Sequence, residues 1–362
     1  MKVINAGYKL IEESSITRKI ERVARVCYKS EDKIDEDTDM IMCRSLINRQ
    51  HTAMLEHGSL VLEVGEQEYA LIETIRSFME NMVEEGEDNK KCFLRYTNCA
   101  DESKNYSVDN LHYVVSGNIR AWYEFMQYAN SVNGLPARLY NLVNDNVNNI
   151  FDIDVTEFDS VVFDTYDSDD FYAKVITDMS TLSDEERMVH ETFSVLFTVD
   201  RGVTHELVRH RDCSFAQEST RYCNYNLGKF GNEITVIAPC FFGLRDEYVF
   251  DDYEDDKWLD EHPAFDIWRN AMEEAERYYF ALINVGATPQ QARDALPTSV
   301  KADIVMTTYL SEWKHIFNLR ACDSTGPAHP QMKEVMIPLF KEMCEKYPFA
   351  FGDMIAADEV HA

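Results

Sequence analysis

RHRDCSFAQESTRYCNY, Arg209 to Tyr225, places three arginines and a histidine on seventeen residues of a chain whose formal net charge is −30. A cationic knot in so acidic a chain points to an anion. Arg209, His210 and Arg211 are consecutive, so on a helix no more than two could face one ligand. At a helix end or in a loop all three could converge. Each guanidinium is a planar fork of donors that suits phosphate and stays charged at any working pH. Ser219, Thr220 and Arg221 then bring hydroxyls, backbone N–H groups and a further guanidinium into three residues, an arrangement that can cradle a phosphate. A surface salt-bridge network with Asp212 and Glu218 is the alternative, and composition leaves both open. Arg293 and Arg320 stand near expected helix ends, and nothing local decides whether the five arginines meet.

The bulk numbers narrow the field. The 362 residues are 45% hydrophobic and 28% charged, enough to bury a large core. The negative balance argues against duplex nucleic acid as a partner, because its phosphates would be repelled over most of the surface. No stretch approaches the ~18 apolar residues of a membrane span, so no membrane partner is expected. The first residues lack the apolar core of a signal peptide. The nine cysteines are scattered without a C-x-x-C pair, which argues against a disulfide framework or a structural zinc and fits a cytoplasmic protein.

Along the chain, KVINAGYKLI reads as a strand. SITRKIERVARVCY and TDMIMCRSLINRQ read as helices, the first with Ile16, Ile20, Val23 and Ala24 at helical spacing. HTAMLEHGSLVLEV turns into a strand. HYVVSGNIRAWYEFMQYA reads as a turn and an amphipathic helix. The stretch 151–170 holds eight acids and no Lys or Arg and reads as a solvated loop. TFSVLFTVDRG and NEITVIAPC are strand-like. A long helix is expected from about Ala264 to Asn284, with Trp268, Met272, Ala275, Tyr279 and Leu282 on one face. Pro289 starts a further helical segment that stops at Pro297, and LSEWKHIFNLR and HPQMKEVMIPLFKEMCEKY close the chain as helices.

Other chemistries find no support. P-loop, Rossmann, G-x-S-x-G and H-E-x-x-H motifs are missing, and no metal site is expected. Cys240, after a strand, is a candidate nucleophile, though a cysteine in that place is more often a core or buried thiol.

Arg-His-Arg, seven residues and then Ser219 resembles the signature of the flavin-dependent thymidylate synthases. RGVTHELVRHR, STRYCNY, HTAMLEHGS, ARDALP and FNLRACDSTGPAHPQM resemble further blocks of that family in the same order, over roughly residues 1–65 and 190–350. The resemblance implies an α/β (α+β) fold with a central, mostly antiparallel sheet and flanking helices. It implies a catalytic core of residues 1–65 and 190–362, with 66–189 as an inserted subdomain. It also implies FAD as cofactor, NADPH and methylenetetrahydrofolate as co-substrates, dUMP as substrate, and a homotetramer with shared active sites. Ser59, Arg209, His210, Arg211, Gln217, Tyr309, Ser311 and His315 would bind FAD. Glu206, Arg209, Gln217, Glu218, Ser219, Thr220, Arg221, Arg293 and Arg320 would bind dUMP, Arg293 from another subunit. Arg320 would be catalytic, against the uracil ring. Ser219 has no evident base to activate it and reads as a binding residue. At 309–313 the chain has YLSEW, with Tyr309 and Ser311 where the family often has Asn and Arg.

Three other readings stay open: a hydroxymethyl- or methyltransferase acting on another pyrimidine nucleotide, an enzyme using Cys240 as a Michael nucleophile, and a non-catalytic scaffold whose acidic runs attract a basic partner.

Overall fold

A computed structural model describes residues 1–65, 68–84, 94–98, 112–132, 137–154, 172–221, 225, 231–242 and 262–358. Most of the acidic run 151–170 and the segment 243–261 lie outside the described residues. The strands are β1 (Lys2–Ile4), β2 (Gly7–Leu10), β3 (Ser59–Gly65), β4 (Arg95–Asn98), β5 (His112–Asn118), β6 (Ala173–Val175), β7 (Thr192–Asp200), β8 (Ser214–Gln217), β9 (Thr235–Ile237) and β10 (Lys301–Tyr309). The helices used below are α1 (Ile16–Val26), α2 (Thr38–Asn48), α3 (Tyr69–Glu84), α4 (Ile119–Val132), α5 (Ala137–Asp145), α6 (Asp184–His190), α7 (Arg201–Leu207), α8 (Pro263–Asn284), α9 (Pro289–Ala292), α10 (Leu310–Arg320) and α11 (Pro330–Lys346). Among the described residues, no helix is long and apolar enough to cross a membrane.

The expected antiparallel sheet is present. Its order is β2-β7-β10-β8, and all its pairs are antiparallel. β7 and β10 pair along their whole length, from Lys301 opposite Asp200 to Tyr309 opposite Thr192. Strand alternation then sorts the side chains. Phe193, Val195, Phe197 and Val199 face a core made with α10 and α11. On the other face Leu196, Ala216 and Val305 pack on Val23 and Val26 of α1. Trp313 of α10 is fully buried and stacks on Phe193 at 4.5 Å with the rings 9° from parallel, which fixes α10 to the sheet.

A second antiparallel sheet has the order β4-β5-β3-β6. Its central strand β3 comes from the N-terminal segment, and its neighbours β5 and β6 come from 66–189. One hydrophobic cluster joins α1, α2 and β3 to α3, α4 and α5 across residue 65. The stretch HYVVSGN, expected as a turn, is strand β5. Val114 and Val115 are fully buried on its two faces, and a strand satisfies their backbone groups against β3. KVINAGYKLI is likewise two strands. β1 pairs in parallel with β9, whereas β2 joins the larger sheet. On α8 the packed face carries Phe265, Trp268, Met272, Tyr279 and Ile283. Leu282, expected on it, is 38% exposed.

Two buried histidines tie the sheets together. His57 Nδ1 lies 2.7 Å from Thr307 Oγ1, which is 2.6 Å from Ser194 Oγ. His190 bridges Thr97 Oγ1 at 2.9 Å and Ser116 Oγ at 2.7 Å. Burial, helped by Lys19, pushes His57 down from 6.5 to about 3. Burial likewise brings His190 to about 4, with Glu186 opposing the shift and Arg95 adding to it. Both are neutral in the folded chain but take up a proton below pH 6.5 once unfolded, so the stability they confer is complete above pH 6.5 and is lost as pH falls. Each is expected to remove about 1.4 kcal/mol per pH unit between pH 6.5 and its folded value. Urea unfolding at pH 7, 5.5 and 4.5 checks this, and the slope should flatten by that amount in His190→Gln. An unchanged slope in that variant would count against the role.

Candidate active site

α7 begins on Asp200, whose carboxylate accepts from the Val203 backbone N at 2.8 Å. The helix is seven residues long, and Arg209, His210 and Arg211 follow in the turn that leads into β8. The three residues therefore sit at a helix end, the placement that lets them converge. They line a cavity of about 570 Å³ together with Asp212, His315 and Arg320. His315 and Arg320 come from α10, so Trp313 and the sheet set their position.

The geometry orients Arg320. Its Nε donates to His210 Nε2 at 3.2 Å, and its Nη1 donates to Glu206 Oε2 at 3.3 Å. His210 is 8% exposed. Burial first, then Arg320, His315 and Arg209, lower it from 6.5 to about 4. At neutral pH it is uncharged, and its Nε2 lone pair receives Arg320. Glu206 is thereby engaged with Arg320 rather than remote from it.

Ser59 and Tyr309 lie elsewhere, in a narrow crevice of about 10 Å³ with Glu56, Asn118, Ser214 and Thr307. Thr308, also in that crevice, donates to the Asp212 carbonyl at 2.6 Å, so the crevice and the cavity share a wall. Tyr309 and Arg320 bound the eleven residues of α10, about 16 Å apart along its axis. Ser311 belongs with Tyr309. Arg95 of β4 lies over the Tyr309 ring at 3.7 Å and donates to Ser311 Oγ at 3.3 Å. Arg95 carries no signal in the sequence, because a cation–π contact across 214 residues leaves no local pattern.

The remaining residues form a third group. Gln217 Nε2 donates to Thr204 Oγ1 at 2.9 Å. Ser219 Oγ accepts from the Arg221 backbone N at 3.3 Å, and Arg221 Nε donates to Gln290 Oε1 at 3.2 Å. Gln290 is on α9, and Arg293 follows directly, exposed. Thr220 is buried. Glu218 is buried as well, in an ion cluster with Lys29, Lys301 and Asp303. Those three residues carried no signal in the sequence, since they lie on α1's exit and on β10, far apart in the chain. Cys240 lines neither the cavity nor the crevice.

The donor set fits a large anionic dinucleotide. Three guanidiniums and two imidazoles border the cavity, outnumbering the carboxylates of Asp212 and Glu312. In the crevice, Ser59 Oγ is buried without a hydrogen-bond partner among the described residues. A buried polar atom of that kind is costly unless a ligand atom or a water meets it, and the crevice, at about 10 Å³, has room for little more than one water.

Residues 157–349 match the family described as thymidylate synthase complementing protein, more than half of the 362-residue chain. The flavin-dependent thymidylate synthase of Pyrococcus furiosus is 32% identical over 165 residues, 45% of this chain and 58% of that protein. That of Corynebacterium efficiens is 27% identical over 161 residues, 43% of this chain and 58% of its own. The matches thus span 58% of these relatives' length. A UMP/dUMP methylase from Streptomyces cacaoi, solved with 5-Br dUMP, covers 97% of this chain and 96% of its own at 14% identity, with a TM-score of 0.38.

Proposed function

The chain belongs to the thymidylate synthase complementing protein family, and on that premise we propose that it is a flavin-dependent thymidylate synthase that converts dUMP to dTMP. The carrying observation is the cluster of Arg209, His210, Arg211 and Arg320 around one cavity in a chain of net charge −30. In balance, methylenetetrahydrofolate gives one carbon, NADPH gives a hydride, and a proton completes the exchange; tetrahydrofolate and NADP⁺ leave.

In this reading Arg209, His210, Arg211 and His315 hold FAD at the cavity, and Ser59, Tyr309, Ser311 and Gln217 contribute from the crevice and from β8. Bound there, FAD would supply the hydride chemistry that links NADPH to the nucleotide. Glu206, Ser219, Thr220, Arg221 and Arg293 serve dUMP. Uracil C5 attacks a carbon only as negative charge moves onto the ring, and Arg320 meets that charge. Glu206 and neutral His210 hold the Arg320 guanidinium in place beforehand, so little reorganisation is left for the reaction itself. Ser219 binds through its hydroxyl and backbone; its Oγ already accepts from Arg221.

None of Ser219, Thr220, Arg221 and Arg293 lines the cavity, which fits a shared site, and in this reading the protein is a homotetramer in which Arg293 of one subunit completes the site of another. In this reading residues 1–65 and 190–362 carry the chemistry, and 66–189 is an addition built onto β3 that brings Arg95 over Tyr309 and Asn118 to the crevice; the family match, from residue 157, takes in its last part.

The test is the mass of the nucleotide product after incubation with FAD, NADPH, methylenetetrahydrofolate and dUMP, with dCMP in a parallel tube. A net gain of one methylene on dUMP alone is expected. A hydroxymethyl product, or reaction of dCMP, would overturn the assigned substrate or final reduction. No product from flavin-loaded protein would overturn the synthase itself.

A further inference from the structure

β8 ends at Gln217, and the chain leaves it through Glu218 into the residues that the proposed function gives to the nucleotide. What fixes that exit is a group of four charges, its two carboxylates buried and its two ammoniums half-buried. Glu218 is 3% exposed. Its Oε2 accepts from Lys301 Nζ at 2.7 Å and from the Asp303 backbone N at 3.3 Å, with Lys29 Nζ at 3.6 Å. Asp303 Oδ2 accepts from Lys301 Nζ at 2.8 Å and pairs closely with Lys29; its Oδ1 accepts from Thr198 Oγ1 at 2.7 Å.

The backbone is held as firmly as the side chain. Glu218 N donates to the Asp303 carbonyl at 2.8 Å, and Ser219 N donates to the Cys27 carbonyl at 3.2 Å. The Glu218 carbonyl accepts from Arg201 Nη2 at 3.4 Å. Lys29, just past α1, has φ of 49°, a left-handed conformation that a non-glycine residue adopts at a cost. Its ammonium reaches the two carboxylates from there. Two carboxylates and two ammoniums balance, and removing one member would leave a buried charge unpaired. Burial alone would raise the Asp303 carboxyl; the Lys301 and Lys29 ammoniums outweigh it and hold it below the usual range.

We propose that Glu218 and Asp303 are positioning residues for the nucleotide: their ion network with Lys29 and Lys301 sets the path of residues 219–221 without touching the ligand. This departs from the expectation that Glu218 contacts dUMP directly. Glu218 and both lysines border a cavity of about 600 Å³, but the Glu218 side chain is 2% exposed, too covered to meet a ligand. The inference rests on the assignment of 219–221 to dUMP.

The experiment measures dUMP affinity by calorimetry on full-length, FAD-loaded protein, together with KM and kcat. The variants are Glu218→Gln, Asp303→Asn and the double. Each single variant should raise Kd and KM for dUMP by about 10-fold, with kcat within about 2-fold and the flavin spectrum unchanged. The double should be scarcely worse than either single, because one network is broken once. Wild-type affinity in both single variants overturns the inference, and so does an effect of the double that multiplies the two. If a carboxylate variant does not fold, Thr198→Val, which removes only one bond to Asp303, carries the test: a rise of about 2-fold supports the network, and an unchanged Kd overturns it. Failure of wild-type protein to bind dUMP would overturn the nucleotide assignment itself, and the inference with it.

Discussion

Arg320→Ala is expected to lower kcat by about 10²- to 10³-fold, the loss typical when one preorganised donor to a developing charge is removed. Arg320 sits at the last position of α10 with its side chain 20% exposed, and its polar contacts are His210 and Glu206. Glu206, 29% exposed, is left to solvent by its removal, whereas His210, 8% exposed, loses the donor to its Nε2. The fold should therefore lose about 1–2 kcal/mol. Arg320→Lys should recover little, because an ammonium cannot engage His210, Glu206 and the ring edge in one plane. Single-turnover rates and a melting curve on the same samples separate the two effects. Near-normal turnover in the alanine variant would remove Arg320 from its assigned role.

Trp313→Ala should produce the largest loss of stability, about 3–5 kcal/mol. Trp313 is fully buried, stacks on Phe193 at 4.5 Å and on Phe317 at 5.5 Å, and donates from Nε1 to the Phe193 carbonyl at 3.3 Å. A cavity of indole size would open between the sheet and α10. The same helix carries His315 and Arg320, so the variant should also lose turnover in the fraction that remains folded. Urea unfolding followed by activity measured well below the transition reads both. A loss under about 1 kcal/mol would mean that the neighbouring rings collapse into the space.

Much of the site was legible because it is local. Arg209, His210 and Arg211 are adjacent in the chain, so their convergence needed only a helix end, and α7 supplies one after seven residues. Helices α1 and α2 and strand β7 were legible because apolar spacing follows directly from the helix and strand repeats. Strand β5 was not: Val-Val followed by Ser-Gly-Asn carries turn chemistry, and only pairing with β3 makes it a strand. Leu282 was misplaced because the packed stripe of α8 is set by its partners β1 and β9, not by the helix repeat alone.

The sequence by itself determined where the arginines and the acids stand and which segments alternate, because charge and periodicity are properties of neighbours along the chain. The tertiary structure decided that Glu206 and His210 orient Arg320, that Arg95 caps Tyr309, and that Glu218 is closed into an ion network with Lys29, Lys301 and Asp303. These are contacts between residues brought together by sheet register. Register is fixed by burial of whole strand faces, a sum over many residues that no single stretch of sequence displays.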